Sequence, residues 1–200
     1  MKMKKTYRQW IGIGMMTLIG GCDSFLDVAP DNRVNLTDLD KNAQLLTNAY
    51  SIASPAFTDW MTDNVGFTTG VTIRQAQQQA YEWEDVTTGP TELDTPDFYW
   101  FETYNAIAHS NEVLAALDEI VIENDEDRAY KDAIEAEAKL TRAFGHFMLV
   151  NMFGEHVTID DGEDGVPYIK TPETVFIETY ERESVRRVYR EVEDDLEDGL

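Results

Sequence analysis

The sequence predicts an all-α protein in which antiparallel helix pairs carry long inserted loops. Four segments repeat apolar residues every three or four positions, which is the period of a helix with one buried face. None of the four is apolar on every side, so each helix needs a helical partner, as in helical-repeat folds. Residues 55–95 show no sustained period but hold several aromatic side chains, which indicates an ordered functional loop rather than a disordered linker.

The four predicted helices cover roughly residues 38–54, 96–120, 133–150 and 185–196. Thr37 and Ser184 are the expected N-caps of the first and the last helix, because a hydroxyl there can accept a backbone hydrogen bond. Pro55 ends the first helix and Pro96 begins the second. Within the long loop, only a short helical turn near residues 74–83 is expected.

The third helix carries the widest apolar stripe, which includes Phe144 and Phe147. Gly145 lies in the middle of this helix, where glycine costs up to ~1 kcal/mol relative to alanine. The sequence therefore predicts that a neighbouring helix packs closely at Gly145. Gly154 is expected just beyond the C-terminus of the helix.

The first 21 residues form a predicted lipoprotein signal peptide. Residues 1–9 carry four basic side chains and no acidic one, and residues 10–21 carry no charge. A basic head followed by a short apolar run is typical of an export signal. The run is shorter than the ~20 apolar residues that a membrane-spanning helix needs.

Cys22, the only cysteine in the chain, directly follows this run. The string Ile19-Gly20-Gly21-Cys22 resembles a bacterial lipobox, in which the leader is cut before the cysteine and the thiol is acylated. Cys22 is therefore predicted to anchor the mature chain to a membrane through lipid, the alternative being a free buried thiol. We expect residues 22–36 to form an extended tether and residues 37–200 to form a helical domain that is truncated at its C-terminus.

The chain is strongly acidic, with 16 basic and 39 acidic residues and a net charge of −23. Removal of the leader leaves 12 basic residues against the same 39 acids, a net charge of −27. Such a surface repels nucleic acids and anionic lipids, so we predict no nucleic-acid partner. Solubility alone explains most of the acid excess.

The sequence gives little support for catalysis or for a metal site. The acidic stretch 160–165, DDGEDG, lacks two ligand positions of a calcium loop, so an acidic turn is expected and no cofactor is predicted beyond loosely bound calcium. His109, His146 and His156 have no ligand spacing and are expected to be satisfied or exposed. A carboxylate pair of the glycosidase kind cannot be chosen among 39 acids.

Three tryptophans outside the leader, Trp60, Trp83 and Trp100, fall in or beside the long loop. An indole or phenol face packs well against the C–H face of a sugar ring, and charged groups such as Asp63 and Arg74 suit its hydroxyls. The alternative is that these rings anchor the loop to the core. The cluster favours a binding surface.

Five stretches together resemble the N-terminal part of the SusD/RagB family of nutrient-binding outer-membrane lipoproteins. They are CDSFLDVAP, LTDLDKNAQLLTNAYS, WFETYNAIAHSNEVLAAL, AEAKLTRAFGHFMLVNMFG and ESVRRVYREVEDDLEDGL. Each is weak alone, but their order and spacing are specific, and they span nearly the whole chain.

The resemblance implies a tetratricopeptide-like helical scaffold with inserted loops, and a non-catalytic role. The protein would be held at the cell surface in the outer membrane by its lipid. There it would capture oligosaccharides and deliver them to a SusC-type TonB-dependent transporter. Asp23 and Asp27, close to Cys22, fit surface export in such bacteria.

Part of the glycan site would come from the loop between the first two helices. The candidate glycan-binding residues are Trp60, Asp63, Arg74, Tyr81 and Trp83. Two alternatives stay open: a helical-repeat envelope lipoprotein that only docks to other proteins, and, with less support, a surface glycoside hydrolase. The identity of the glycan is also open, since some members of the family take up other nutrients, including peptides.

Overall fold

The computed structural model describes residues 36–157, 162–175 and 177–200. The signal peptide, Cys22 and all but the last residue of the tether lie outside these residues. Six α-helices occur in the described part: α1 Leu39–Leu46, α2 Ala56–Trp60, α3 Gln75–Tyr81, α4 Pro96–Leu117, α5 Asp125–Phe153 and α6 Val185–Asp198. The same residues form no strand, only an isolated antiparallel bridge between Asp164 and Ser184. The all-α prediction is confirmed.

The first helix differs from its prediction at both ends. Asp38, not Thr37, is the N-cap, and its carboxylate accepts a hydrogen bond from the backbone N–H of Lys41 at 2.9 Å. Aspartate is the stronger cap because its charge also complements the helix dipole. The helix ends at Leu46 and continues as a 3₁₀ turn, Thr47–Ala49, after which the backbone becomes extended. Its apolar period therefore continues in sequence beyond the point where the helix ends.

The long helices begin as their capping residues dictate. Thr95 accepts from the Phe98 N–H with Pro96 at the first helical position, and Asn124 accepts from the Asp127 N–H. Ser184 accepts from the Arg187 N–H, as predicted. The second predicted helix, α4, stops at Leu117 rather than near Ile120.

α5 ends at Phe153, and Gly154 follows it directly, as predicted. Gly154 is the C-cap residue and is extended, with φ −85° and ψ 157°. The predicted close approach at Gly145 is confirmed: a Cβ added there would lie 2.9 Å from Cγ1 of Ile107 on α4.

α5 is the central helix, with α4 and α6 packed against it and α1 lying against α4 and α5. One core cluster joins α4, α5 and α6 through residues such as Ile107, Leu149 and Val188. A second joins α1 to α4 and α5 through Leu46 and Val113. Burial of these apolar side chains, each contributing ~1.5–3 kcal/mol, holds the helices together.

A buried ion pair joins α5 to α6. The Arg142 guanidinium donates two hydrogen bonds of 2.7 Å to the Asp195 carboxylate, and a third of 2.9 Å to the amide oxygen of Asn111 on α4. The Tyr168 hydroxyl donates to the same carboxylate at 2.7 Å. Burial raises the pKa of Asp195, but the hydrogen bonds from Arg142 and Tyr168 more than offset this and hold the pKa below its usual range.

His146 fixes the segment before α6 to α5. Its Nδ1 lies 3.0 Å from the Arg142 carbonyl, which can only accept, while Nε2 accepts from the Ile169 N–H at 3.0 Å. These partners dictate the neutral Nδ1–H tautomer. The ring also stacks on Tyr168 with centroids 3.8 Å apart. His146 is thus a satisfied core histidine, as its sequence context indicated.

Stability is expected to fall as the pH is lowered from about 6.5 to 4. Burial lowers the pKa of His146 to about 4, below the 6.5 of the unfolded chain, so the unfolded state binds the extra proton in this window. We expect a loss of about 3 kcal/mol, because the pKa values of His146 in the unfolded and folded states differ by about 2.5. Urea unfolding at several pH values measures it. His146→Gln cannot take up this proton, so an equal loss in that variant would contradict the assignment.

The predicted apolar stripe of α5 is only partly buried. Phe144 is 64% exposed and Phe147 is 40% exposed. The buried face instead includes Arg142 and His146, which are polar but have their hydrogen bonds satisfied. A prediction based on apolar residues alone therefore misses them. Phe144 lines an open apolar groove of about 680 Å³, together with Tyr50, Ala53, Leu140 and Met148.

Candidate functional site

The long loop folds around a small aromatic cavity of about 190 Å³. Trp60 and Tyr81, the last residues of α2 and α3, line it together with apolar residues of the intervening loop. The short helices pack against each other and so bring two of the candidate rings to one place. Phe67 lies against Tyr81 with ring centroids 4.3 Å apart.

Arg74 joins this cavity to the start of α4. Its guanidinium lies over the Trp60 ring, 5.7 Å from the centroid, a cation–π arrangement. The same group donates a 2.9 Å hydrogen bond to the Asp94 carboxylate and a 3.3 Å bond to the Leu93 carbonyl. The Arg74 N–H donates to Gln77 and so begins α3. Arg74 therefore positions Trp60 and α3, while its partly exposed head still faces solvent.

Trp83 occupies an unusual backbone position just beyond α3. Its N–H donates to the Ala80 carbonyl, and the next N–H, of Glu84, donates to the Gln79 carbonyl. This is a Schellman motif, whose central residue adopts the left-handed conformation and is usually glycine. Trp83 has φ 57° there, and its side chain is 73% exposed. The left-handed conformation costs a non-glycine residue ~1–2 kcal/mol.

The structure brings together three of the five candidate residues. Trp60 and Tyr81 line the cavity and Arg74 stacks on Trp60. Trp83 and Asp63 are exposed and do not line it. Phe67 belongs to the cluster but was not among the candidates, although its place among the aromatic residues of the loop pointed to it.

The geometry fits an exposed stacking surface better than an enclosed pocket. Drug-sized ligands occupy pockets of about 300–1,000 Å³, and this cavity is smaller. In the described residues, no group of three or more histidine, cysteine, aspartate or glutamate side chains could hold a metal ion. Asp160 and Asp161 of the acidic stretch lie outside those residues.

The fold is similar to that of solved SusD superfamily structures. A SusD superfamily protein from Bacteroides thetaiotaomicron matches with a TM-score of 0.61 and 18% identity, over 82% of this chain and 37% of that one. A SusD-like carbohydrate-binding protein from Bacteroides vulgatus matches with a TM-score of 0.59 and 19% identity, over 82% and 35%. A laminarin-binding SusD-like protein matches with a TM-score of 0.58 and 22% identity, over 82% and 34%. At these identities the likeness shows the fold.

The scaffold is thus that of a SusD-like protein. The sequence model of the SusD-like family described as "Starch-binding associating with outer membrane" matches residues 24–200, so the chain belongs to that family. The resemblance found in the sequence is confirmed. No curated protein sequence matches the chain significantly.

The chain spans little more than a third of the length of these solved relatives, 34–37% in the three cases. Within the described part of the chain, no helix combines the length and the apolar character that crossing a bilayer requires.

Proposed function

We propose that this chain is the N-terminal portion of a cell-surface lipoprotein that binds glycans without cleaving them. The description of its family as starch-binding supports this, as do the carbohydrate-binding and laminarin-binding relatives. The observation that carries the proposal is Trp83, a large indole held in solvent at a backbone position that favours glycine.

Trp83 works against folding in two ways, which is the reason to assign it a function. Its conformation is strained for a residue with a side chain, and its exposed ring contributes little burial. The two backbone hydrogen bonds of the Schellman motif nevertheless fix the Trp83 backbone in this conformation. The exposed indole is suited to stacking on the C–H face of a sugar ring, with Asp63 as an exposed hydrogen-bond acceptor for hydroxyls.

The proposal also covers anchoring and delivery. Acylated Cys22 would hold the protein in the outer membrane, and a SusC-type TonB-dependent transporter would receive the captured oligosaccharide. Support comes from the lipobox-like string before Cys22 and from the outer-membrane association of the family. Several acyl chains on one cysteine would give a stable anchor where a single chain gives a marginal one.

A glycan array tests the binding role directly. The full chain carrying Cys22→Ser, which cannot be acylated, would be applied to starch, laminarin, xylan, mannan and pectin, and its helicity checked by circular dichroism. Retention of at least one polysaccharide by the helical protein is expected. A helical protein that binds none would contradict the proposal and favour a lipoprotein that docks only to other proteins. Release of reducing ends from a bound polysaccharide would favour a hydrolase.

Substitution of Trp83 separates binding from folding. We expect Trp83→Gly to weaken binding of the retained polysaccharide by about 1–3 kcal/mol, roughly 5- to 150-fold, because the stacking ring is lost. The same change should leave the free energy of unfolding unaltered or raise it by up to ~1 kcal/mol, because glycine adopts the left-handed conformation without strain. Isothermal titration and urea unfolding measure the two effects.

Phe144→Ala is the matched control, since Phe144 is exposed to a similar degree but lies on α5 at the apolar groove. It should leave glycan binding unchanged. Wild-type affinity in Trp83→Gly would remove Trp83 from the site.

A further inference from the structure

A second groove lies between α4 and the segment before α6. Its volume is about 450 Å³, within the range of ligand pockets and more than twice that of the cavity beside Trp60. Trp100, Phe101, Tyr104 and Asn105 line it from α4, and Glu173 and Tyr180 line it from the opposite segment. None of these residues was among the five candidate glycan-binding residues, although Trp100 is one of the three tryptophans that the sequence places in or beside the long loop.

The inner wall of the groove is rigid. Trp100 and Tyr104 lie against each other with ring centroids 4.9 Å apart. The Arg182 guanidinium lies over Trp100, 5.5 Å from the ring centroid, and donates a 3.0 Å hydrogen bond to the Phe153 carbonyl. The Tyr104 hydroxyl donates to the Pro167 carbonyl at 2.8 Å. These groups serve the fold and hold the two walls at a fixed separation.

The outer parts of both walls are open to solvent. Phe101, in the second turn of α4, is 56% exposed, and Tyr180 on the other wall is 37% exposed. Asn105 lies one turn after Phe101 on the same face of α4 and is exposed, as is Glu173 opposite. Two aromatic side chains, an amide and a carboxylate therefore line one cleft from two sides.

This set of groups matches the chemistry of a neutral sugar. Aromatic faces pack against the C–H face of the sugar ring. The carboxylate can accept hydrogen bonds from the sugar hydroxyls, and the amide can both donate to them and accept from them. The Tyr180 phenol is protonated at neutral pH, and partial burial together with Glu173 and Glu178 raises its pKa further, to about 12. Glu173 in the cleft and the acidic chain around it disfavour a negatively charged ligand.

We propose that this groove binds a neutral sugar unit of the same glycan chain that stacks on Trp83, as a second contact for longer oligosaccharides. The inference rests on the proposed glycan-binding function. The loop that carries Trp83 leads directly into α4, and Phe101 lies five residues after Pro96, about 8 Å along the helix from its start. A ligand that contacts both the loop and the groove is therefore expected to be an oligosaccharide rather than a single sugar.

The test compares long and short oligosaccharides. The probes are maltoheptaose and maltotriose from starch, the corresponding β-1,3-glucan oligomers from laminarin, and the long and short oligomers of any other polysaccharide retained on the array. The proteins are the full chain with Cys22→Ser and the same chain with Phe101→Ala or Asn105→Ala. We expect each substitution to weaken binding of the long oligomer about tenfold and to leave the short oligomer unaffected.

Two further variants separate loss of an aromatic ring in the groove from loss of a hydroxyl and from loss of an exposed ring elsewhere. Tyr180→Phe retains the ring and loses the hydroxyl, so it should weaken the long oligomer less than Phe101→Ala does. Phe144→Ala, at an exposed aromatic outside both sites, should have no effect. Thermal unfolding of each variant confirms that the fold is retained, as expected for exposed side chains.

The outcomes distinguish this inference from the function on which it rests. If the parent chain binds no glycan, the proposed function fails and the second contact fails with it. If the parent binds and Trp83→Gly weakens it, but Phe101→Ala and Asn105→Ala bind long oligomers normally, only the second contact is overturned. An equal loss for long and short oligomers would also overturn it, because the groove would then be the primary site.

Discussion

Replacement of Arg142 by alanine is expected to lower the free energy of unfolding by about 3–5 kcal/mol. The change removes both hydrogen bonds from Arg142 to Asp195 and leaves that carboxylate, which is 3% exposed, with only the more distant Lys170, 3.9 Å away, as a counter-charge. It also removes the donor to Asn111 on α4, so all three long helices are affected. Urea unfolding followed by circular dichroism measures the loss.

A double replacement tests whether the ion pair or the buried charge is responsible. Arg142→Met combined with Asp195→Leu removes both charges and fills the space with apolar atoms. We expect this variant to be more stable than Arg142→Ala, because no unpaired charge remains. If it is less stable than Arg142→Ala, the network contributes through more than charge compensation.

A surface pair provides the control for charge itself. Lys41 and Asp38 form an ion pair of 3.0 Å with side chains 41% and 50% exposed. Lys41→Ala should lower the free energy of unfolding by less than 1 kcal/mol, because solvent screens the pair and the substitution leaves no buried charge without a partner. Comparable losses for Lys41→Ala and Arg142→Ala would contradict the argument from burial.

The network also explains why the sequence revealed the family so readily. Asn111, Arg142 and Asp195 lie in three of the five stretches that carried the resemblance, and the structure brings Arg142 into direct contact with the other two. The resemblance was therefore carried by residues that hold the scaffold together. It led to the correct fold class and to the family, but these residues do not contact the candidate glycan site.

The candidate site was less predictable, because its geometry depends on contacts between residues far apart in sequence. Nothing near Arg74 indicates that its guanidinium bonds Asp94 and covers Trp60. The position of Trp83 became clear only from the backbone hydrogen bonds that end α3. Composition directed attention to the loop and its rings, but only the fold shows which rings share a cavity.

The buried face of a helix and its first residue also depend on contacts that the sequence does not show. Apolar periodicity predicts that Phe144 is buried, but α5 buries Arg142 and His146 and exposes Phe144. Thr37 and Asp38 can both cap the first helix, and the structure has Asp38, one position after the predicted residue, as the N-cap. Both outcomes follow from local physics once the neighbouring helices are in place.

Introduction of a side chain at Gly145 is expected to destabilise the protein, although alanine is the better helix former. The added Cβ would lie 2.9 Å from Cγ1 and 3.1 Å from Cδ1 of Ile107, which is 1% exposed and enclosed by core residues. Overpacking of this kind costs ~1–3 kcal/mol, against a gain of up to ~1 kcal/mol from helix propensity. We expect a net loss of about 1–2 kcal/mol for Gly145→Ala, and about 3 kcal/mol for the bulkier Gly145→Val.

The decisive comparison is the same substitution in a background without the clash. Ile107→Ala removes both atoms that the new Cβ would meet, at its own cost of ~2–5 kcal/mol for the cavity. In that background Gly145→Ala should become stabilising by up to ~1 kcal/mol, because only the propensity gain remains and the methyl group fills part of the space. A change of sign between the two backgrounds identifies the glycine as a requirement of close packing between α4 and α5. An equal loss in both would place the cause within α5 itself.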